Sequence, residues 1–270
     1  MKRLTWDEKM ALAWKRFLPP ARPSLAELKI YEKYIKSLLK KDKEVLILGL
    51  TPEFRDLILK YQGSPVCLDT NPRIYQALTR LLKRKGKEKL IVGDWTEIPK
   101  LKIKKKYFLI IGHQSFNMIP LRRWEKFLKG LKTILDPQGK IITTVTVFLS
   151  QDKKIKTLDG FLRYRKLKQP RPPLFTEVMK YLVIGSYNFF KRHPSMKDLR
   201  QRIEYLFKKG LINKKEKEEI KKIIPPSDLV LYLPSRDWVD KKFKKYFHVE
   251  IKYHPQDSYS KNWPIYILSL

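Results

Sequence analysis

Four short stretches put polar side chains where apolar runs end, and these are the places where chemistry has room to happen. Gly49-Leu50-Thr51-Pro52-Glu53 follows the run Val45 to Leu48, and Asp69-Thr70-Asn71 follows Val66-Cys67-Leu68. Gly93-Asp94-Trp95 follows Leu90 to Val92, and Gly112-His113-Gln114-Ser115-Phe116-Asn117 follows Phe108 to Ile111. A glycine lets backbone approach a ligand closely, and a helix starting just after it offers unsatisfied N–H groups to a carboxylate or phosphate. Gly49, Leu50 and Thr51 suit that task; an ordinary turn capped by Thr51 uses the same residues. Asp69 lies about 20 residues beyond Gly49, the spacing at which an acid accepts hydrogen bonds from ribose hydroxyls. The alternative is the N-cap of the helix that follows, a role compatible with the first. Asp94 can accept from an exocyclic amine while Trp95 offers a flat stacking face, the alternative being a solvated turn with a core Trp. Histidine titrates near neutrality, so His113 is the candidate general base, with a pocket-lining role as the alternative.

The elements that must position these residues alternate regularly. Val45–Gly49, Val66–Asp69, Lys89–Trp95, Tyr107–His113 and Lys140–Phe148 read as five strands. Between them lie helices opened by Thr51-Pro52 and Asn71-Pro72, the second ended by Gly86, and a third over residues 120–135. Asp136 to Gly139 reads as a turn. Apolar strands alternating with helices predict a parallel sheet covered on both faces, an α/β doubly wound fold. In such a sheet, ligands bind at the carboxyl ends of the strands. Before the first strand, residues 1–43 form an N-terminal helical segment. Trp6, Met10, Ala13, Trp14 and Phe17 make one apolar face, with both Trp residues read as helix core. Ser24 and Glu27 form a capping box for a second helix that runs to about Leu39. Tyr31 and Tyr34 on that helix read as core packing, or as cover for a ligand.

From about Ser150 the alternation stops. Residues 150–245 read as a basic helical insertion, carrying 21 Lys or Arg against 8 Asp or Glu over 151–225. Its aromatic residues, Phe161 to Phe190, line a pocket or fill a subdomain core. FHVEIKYHP and WPIYILSL then read as two closing strands, so 44–149 and 246–270 together make the main domain. The chain has 270 residues, with 60 Lys plus Arg against 27 Asp plus Glu, a net charge of +33. That surface attracts polyanions. Yet 44 of the 60 cations are Lys, much of it in helical faces and loops, which also fits compositional bias. One cysteine, Cys67, excludes an intramolecular disulfide and a cysteine-based zinc site. His193, His248 and His254 lack metal-ligand spacing, so no metal is assigned. The amphipathic start and strand-sized apolar runs predict a cytoplasmic protein without a membrane span.

Taken together, EVLILGLTPEF, PVCLD, VGDW, IIGHQSFNMIP and DPQGKIIT resemble the motifs of the class I S-adenosylmethionine (SAM)-dependent methyltransferases. The resemblance covers about residues 20–148, and the final hairpin 247–270 matches the antiparallel pair that closes such sheets. It implies a seven-stranded, mostly parallel Rossmann-like sheet and SAM as cofactor. Gly49, Leu50 and Thr51 would cradle the methionine part. Asp69, with Thr70 and Asn71, would hold the ribose, and Asp94 with Trp95 the adenine. Gly112 and Gln114 would also contact the cofactor, His113 would face the reacting group, and residues 150–245 would form an acceptor-binding cap. The sequence departs from the family in having one glycine after the first strand and His113-Gln114 where an acid is frequent. Three functions follow: a methyltransferase for a small-molecule acceptor, the same enzyme acting on RNA through its basic surface, and a non-catalytic binding protein of the same fold. A nicotinamide dehydrogenase is disfavoured because G-x-G-x-x-G is absent.

Overall fold

A computed structural model describes residues 13, 14, 17, 19, 21–39, 43–149, 195–221, 230–253 and 260–270. Most of the proposed insertion, 150–194 and 222–229, lies outside the described residues, as do Trp6, Met10, Phe161 to Phe190, His193 and His254.

The sheet is built from β1 (Glu44–Leu48), β2 (Ser64–Asp69), β3 (Lys89–Val92), β4 (Tyr107–His113), β5 (Leu135–Thr144), β6 (His248–Lys252) and β7 (Ile265–Ser269). Its order is β3-β2-β1-β4-β5-β7-β6. The first five strands are parallel, and β7 enters antiparallel between β5 and β6. Strand order reverses beside β1, so the carboxyl ends of β1 and β4 flank the crevice where such sheets take ligands.

Side chains of β1 alternate between two cores, as a period of two demands. Leu46 and Leu48 join Trp124, Phe127, Val239 and Phe243 on one face. Val45 and Ile47 join Tyr31, Ile35, Phe54 and Ile58 on the other. The first face is covered by α4 (Trp124–Ile134) and α7 (Arg236–Lys244), the second by α1 (Leu25–Leu38), α2 (Pro52–Lys60) and α3 (Pro72–Thr79). Thus α7, which lies in the sequence-defined insertion, packs Val239 and Phe243 into the main core. Helices α5 (Met196–Lys208) and α6 (Lys214–Lys221) pair through Glu204, which meets Lys217 at 2.8 Å.

Local details differ from the sequence reading. Helix α3 ends at Thr79 rather than at Gly86, with Arg80 as its C-cap. The Asp136–Gly139 turn lies inside β5 as a bulge. Tyr107 pairs with Leu135 and Leu109 with Lys140, so four residues loop out between them. Beyond Thr144 the strand gives way to an extended segment held by Val147 N–H on Asn262 and Phe148 N–H on Pro234. The capping box of α1 forms as expected, with the Ser24 side chain on Glu27 N–H and the Glu27 carboxylate on Ser24 N–H. Among the described residues, no helix is long and apolar enough to cross a membrane.

Candidate functional site

A cleft of ≈ 470 Å³ opens at the carboxyl ends of β1, β2 and β4. Gly49, Leu50, Thr51, Asp69, Thr70, Asn71, Asp94, Trp95 and His113 all line it.

Gly49 holds φ 109°, a conformation that favours glycine. A Cβ there would meet Trp95 at an ordinary 3.7 Å, so the backbone angle, not space, demands the residue. Its N–H donates to the Leu68 carbonyl at 3.0 Å, and the Trp95 indole N–H donates to the same oxygen at 2.6 Å. One carbonyl therefore ties together the turn after β1, the end of β2 and the segment after β3. Thr51 occupies the N-cap position of α2 with Pro52 at the first helical position, and its side chain makes no capping bond. The start of α2 faces the cleft through Leu50 and Thr51, as an anion site requires.

Asp69 ends β2. Burial pushes its carboxyl up to about 6, against the opposing pull of the Asn71 and Thr70 N–H groups. Its Oδ1 accepts from Asn71 N–H at 3.0 Å. The helix cap is Asn71, whose Oδ1 accepts from the Arg73 and Ile74 N–H groups at 3.0 and 3.1 Å. This corrects the reading of Asp69 as an N-cap. Asp94 does act as a cap: Oδ1 accepts from Thr96 N–H at 2.8 Å and from its hydroxyl at 2.9 Å, opening a 3₁₀ turn. Asp94 Oδ2 stands 3.5 Å from Arg123.

The polar cluster after β4 divides by direction. His113 lines the cleft, and its Nδ1 lies 3.8 Å from Glu27 Oε1, both side chains being almost fully buried. Gly112 and Gln114 are not among the cleft-lining residues. The Gly112 carbonyl accepts from the Tyr31 hydroxyl at 2.7 Å, and a Cβ there would stand 2.8 Å from Ser115 Oγ. Gln114 adopts φ 54° and donates its N–H to the Thr144 carbonyl. Asn117 is structural, its amide accepting from Thr146 N–H and donating to the Thr146 and Tyr232 carbonyls. Tyr31 is core, its hydroxyl 3.0 Å from Thr144 Oγ1, whereas Tyr34 reaches Glu250 at 3.2 Å.

Sequence reasoning missed part of the wall. Trp14, assigned to helix core, is half-buried, lines the cleft and donates its indole N–H to Glu53 at 3.1 Å. Met118, Ile119, Pro120 and Arg123 line the same cleft, beside Ser115 of the cluster named from sequence. Glu27 was legible as a cap but not as a neighbour of His113. Among the described residues, no group of three or more His, Cys, Asp or Glu is placed to hold a metal ion. Cys67 is buried in β2, which pushes its thiol up to about 12. The arrangement can hold a ligand with hydroxyl and amine donors at one end and an anion at the other, beside a histidine paired with a carboxylate.

No protein-family model matches the sequence, and no curated protein matches it. Solved structures do share its fold. A chain from Rhodobacter sphaeroides assigned as a Zn-dependent alcohol dehydrogenase superposes with TM-score 0.55 at 16% identity, over 99% of each chain. An assigned O-methyltransferase from Nostoc punctiforme gives 0.53 at 11% identity, over 97% of this chain and 59% of that one. The glycopeptide N-methyltransferase MtfA complexed with S-adenosyl-L-homocysteine gives 0.52 at 10% identity, over 91% and 89%. At these identities the likeness is one of fold alone, the doubly wound α/β sheet expected from the sequence.

Proposed function

We propose that the chain is a SAM-dependent methyltransferase whose acceptor is a small molecule. The observation that carries this reading is the half-buried Asp69 carboxylate in the same cleft as the Gly49 turn, beside the point where strand order reverses. The antiparallel β7 supports it over a nicotinamide dehydrogenase, whose doubly wound sheet runs β3-β2-β1-β4-β5-β6 and needs a glycine-rich turn absent here.

The residues present fit the cofactor. The cleft is within the range of small-molecule sites, roughly 300–1,000 Å³. Asp69 would accept from the ribose hydroxyls. Gly49, Leu50 and Thr51 would hold the methionine end through the turn and the start of α2. Trp95 would lie against the adenine, with Asp94 accepting from its amine in competition with Arg123. Thr70 and Asn71 would complete the ribose side. When bound, SAM supplies a methyl group already activated by its sulfonium. The protein's task is then to orient the acceptor, exclude water and, where the acceptor carries a proton, remove it. His113 is the residue we assign to that removal.

Calorimetry with SAM tests the reading. Micromolar binding, weakened about 10- to 100-fold in Asp69→Ala, is the expected result, because hydrogen bonds to a charged group contribute about 1.5–3 kcal/mol each. No binding at millimolar SAM would sink it.

A second reading, an RNA acceptor, draws on one surface. Arg80, Lys83, Arg84, Lys85, Lys87 and Lys89 are all exposed, and Glu88, the single acid among them, is held by buried Arg55. A steep loss of activity with salt, shared by any RNA, would favour it.

A further inference from the structure

We infer that the amino end of the sheet, opposite the cleft, is a docking surface for single-stranded RNA. RNA bound there is a partner held by the protein rather than the group in the cleft, and the inference stands without the methyltransferase reading.

Two loops lead into the sheet at this end. Residues 83–89, before β3, carry five cations and one acid, and residues 102–106, before β4, carry four cations and no acid. All nine cations are exposed. The loops meet at Glu44, the first residue of β1, which pairs with Lys89 at 2.6 Å and with Lys105. The nearby acids are spent on the fold. Glu88 accepts from the guanidinium of buried Arg55 at 2.5 and 2.9 Å. Asp56 of α2 accepts from the backbone N–H groups of Lys83 and Arg84, both at 2.9 Å. Gly86 packs so closely on Leu59 that a Cβ would stand 2.4 Å from it. The first loop is thus pinned to α2 and projects its cations from a fixed frame, which lowers the ordering cost of binding. The helix macrodipole does not account for them, since α3 ends at Thr79, four residues before Lys83.

Beside the loops lies a groove of ≈ 480 Å³, floored by Leu38, Val45 and Leu109 and rimmed by Lys43, Lys105 and Lys106. Phe108 lines it, half-buried. Its neighbours Tyr107 and Leu109 enter opposite cores although they are two residues apart, because the β4–β5 register breaks between them. That irregularity turns Phe108 aside toward the groove, as bulges do.

A cationic track beside an aromatic ring suits a single strand, whose phosphates follow the lysines while an unstacked base lies on the ring. A duplex keeps its bases stacked and has no use for Phe108. Glu44 and Asp136 also line the groove. Carboxylates repel phosphate but accept from a 2′-hydroxyl, which favours RNA over DNA. A lipid surface would call for apolar side chains to insert. The two most exposed large ones among the described residues, Leu25 and Val92, lie at the start of α1 and the end of β3, away from this groove. The five residues of β1 set roughly 15 Å between this end and the cleft. A nucleotide seated on Phe108 therefore does not reach the cleft.

The test is fluorescence anisotropy of a labelled mixed-sequence RNA of about 20 nucleotides with the full chain. Arg84→Glu, Lys85→Glu and Lys87→Glu combined should weaken binding at least about tenfold near 0.1 M salt. They should also flatten the slope of log affinity against log salt by about 2, at about 0.7 per phosphate contact of a single strand. Lys208→Glu, Lys214→Glu and Lys215→Glu, exposed positions on α5 and α6, remove the same charge and should cost less than about threefold. Equal losses from the two triple variants overturn the proposal, because net charge alone would then hold the RNA. Phe108→Leu should weaken binding about fivefold or more with the salt slope unchanged, and an unchanged affinity overturns the seating of a base. The same sequence as DNA should bind at least about threefold more weakly, and DNA bound as tightly overturns the assignment to RNA. Polyglutamate or phosphatidylserine vesicles that displace the label as well as unlabelled RNA does overturn it too. SAM calorimetry on the first triple variant should match the wild type, so failure of either reading leaves the other standing.

Discussion

The two ends of the sheet carry cavities of nearly equal size, ≈ 470 Å³ at the carboxyl ends of the strands and ≈ 480 Å³ at the amino ends of β1 and β4. Their chemistry differs completely. The amino-end groove is lined by Lys43, Glu44, Lys105, Lys106 and Asp136 over an apolar floor of Leu38, Val45 and Leu109. Its charges pair with lysines at the rim: half-buried Glu44 meets Lys89 at 2.6 Å and also meets Lys105, whose ammonium burial holds below its ordinary value. At the carboxyl end, Asp69 is held in a setting that penalises its charge, Glu27 is buried against His113, and the start of α2 faces the same space. Volume does not distinguish the ends. What distinguishes them is what meets the carboxylate: lysine ammonium groups meet Glu44 at one end, whereas backbone N–H groups meet Asp69 at the other.

The largest expected effect sharpens that contrast. Asp69 has its folded-state value at about 6 against an ordinary 3.8, so between those values the folded chain holds the proton more tightly than the unfolded one. Its contribution to stability is therefore fullest below about 3.8 and is lost as pH rises through about 6. Asp69→Asn, which keeps an acceptor for Asn71 N–H, should raise unfolding stability above pH 7 by up to about 3 kcal/mol and change nothing at pH 3.5. Denaturant melts at the two pH values check this. The same substitution should weaken SAM binding about tenfold or more, while Lys105→Ala at the amino end leaves SAM affinity within about twofold. Equal losses from both ends would break the comparison. Trp95→Phe removes the indole donor to the Leu68 carbonyl, which keeps the Gly49 N–H; a loss of about 1 kcal/mol by chemical denaturation is expected. Smallest of all, Lys89→Ala should cost under about 0.5 kcal/mol, as an exposed ion pair does.

The sheet and the four strand-end segments were legible because parallel strands buried on both faces write themselves as continuous apolar runs. Tyr107–His113 is a strand over the range its sequence suggests. Asp69, Trp95 and His113 reach one cleft because the carboxyl ends of adjacent parallel strands must. What sequence could not show was direction within a turn. His113 faces the cleft and Gln114 does not, because Gln114 takes a left-handed conformation that periodicity does not encode. Nor could it show that Trp14 and Glu27 arrive at this end of the sheet, since both depend on how the N-terminal helices lie across it. The Glu27 capping box explained that residue locally, and a complete local explanation hides a tertiary role. The looped-out Asp136–Gly139 was visible as a turn, but not as one absorbed within a strand.

The placement of β7 has a consequence for how the chain is made. Its partner β5 ends at Thr144, and the strand that covers β5 begins at Ile265. During synthesis at about 5–20 residues per second, the ribosome therefore needs roughly 6 to 24 seconds after β5 before it delivers the strand that seals it. For that interval Ile141 and Ile142, buried in the finished protein, lie on an open sheet edge with unpaired backbone groups. The nascent chain is therefore open to mispairing along β5, a strand that ends up inside the finished sheet, and its vulnerability is set by the length of the segment between β5 and β7.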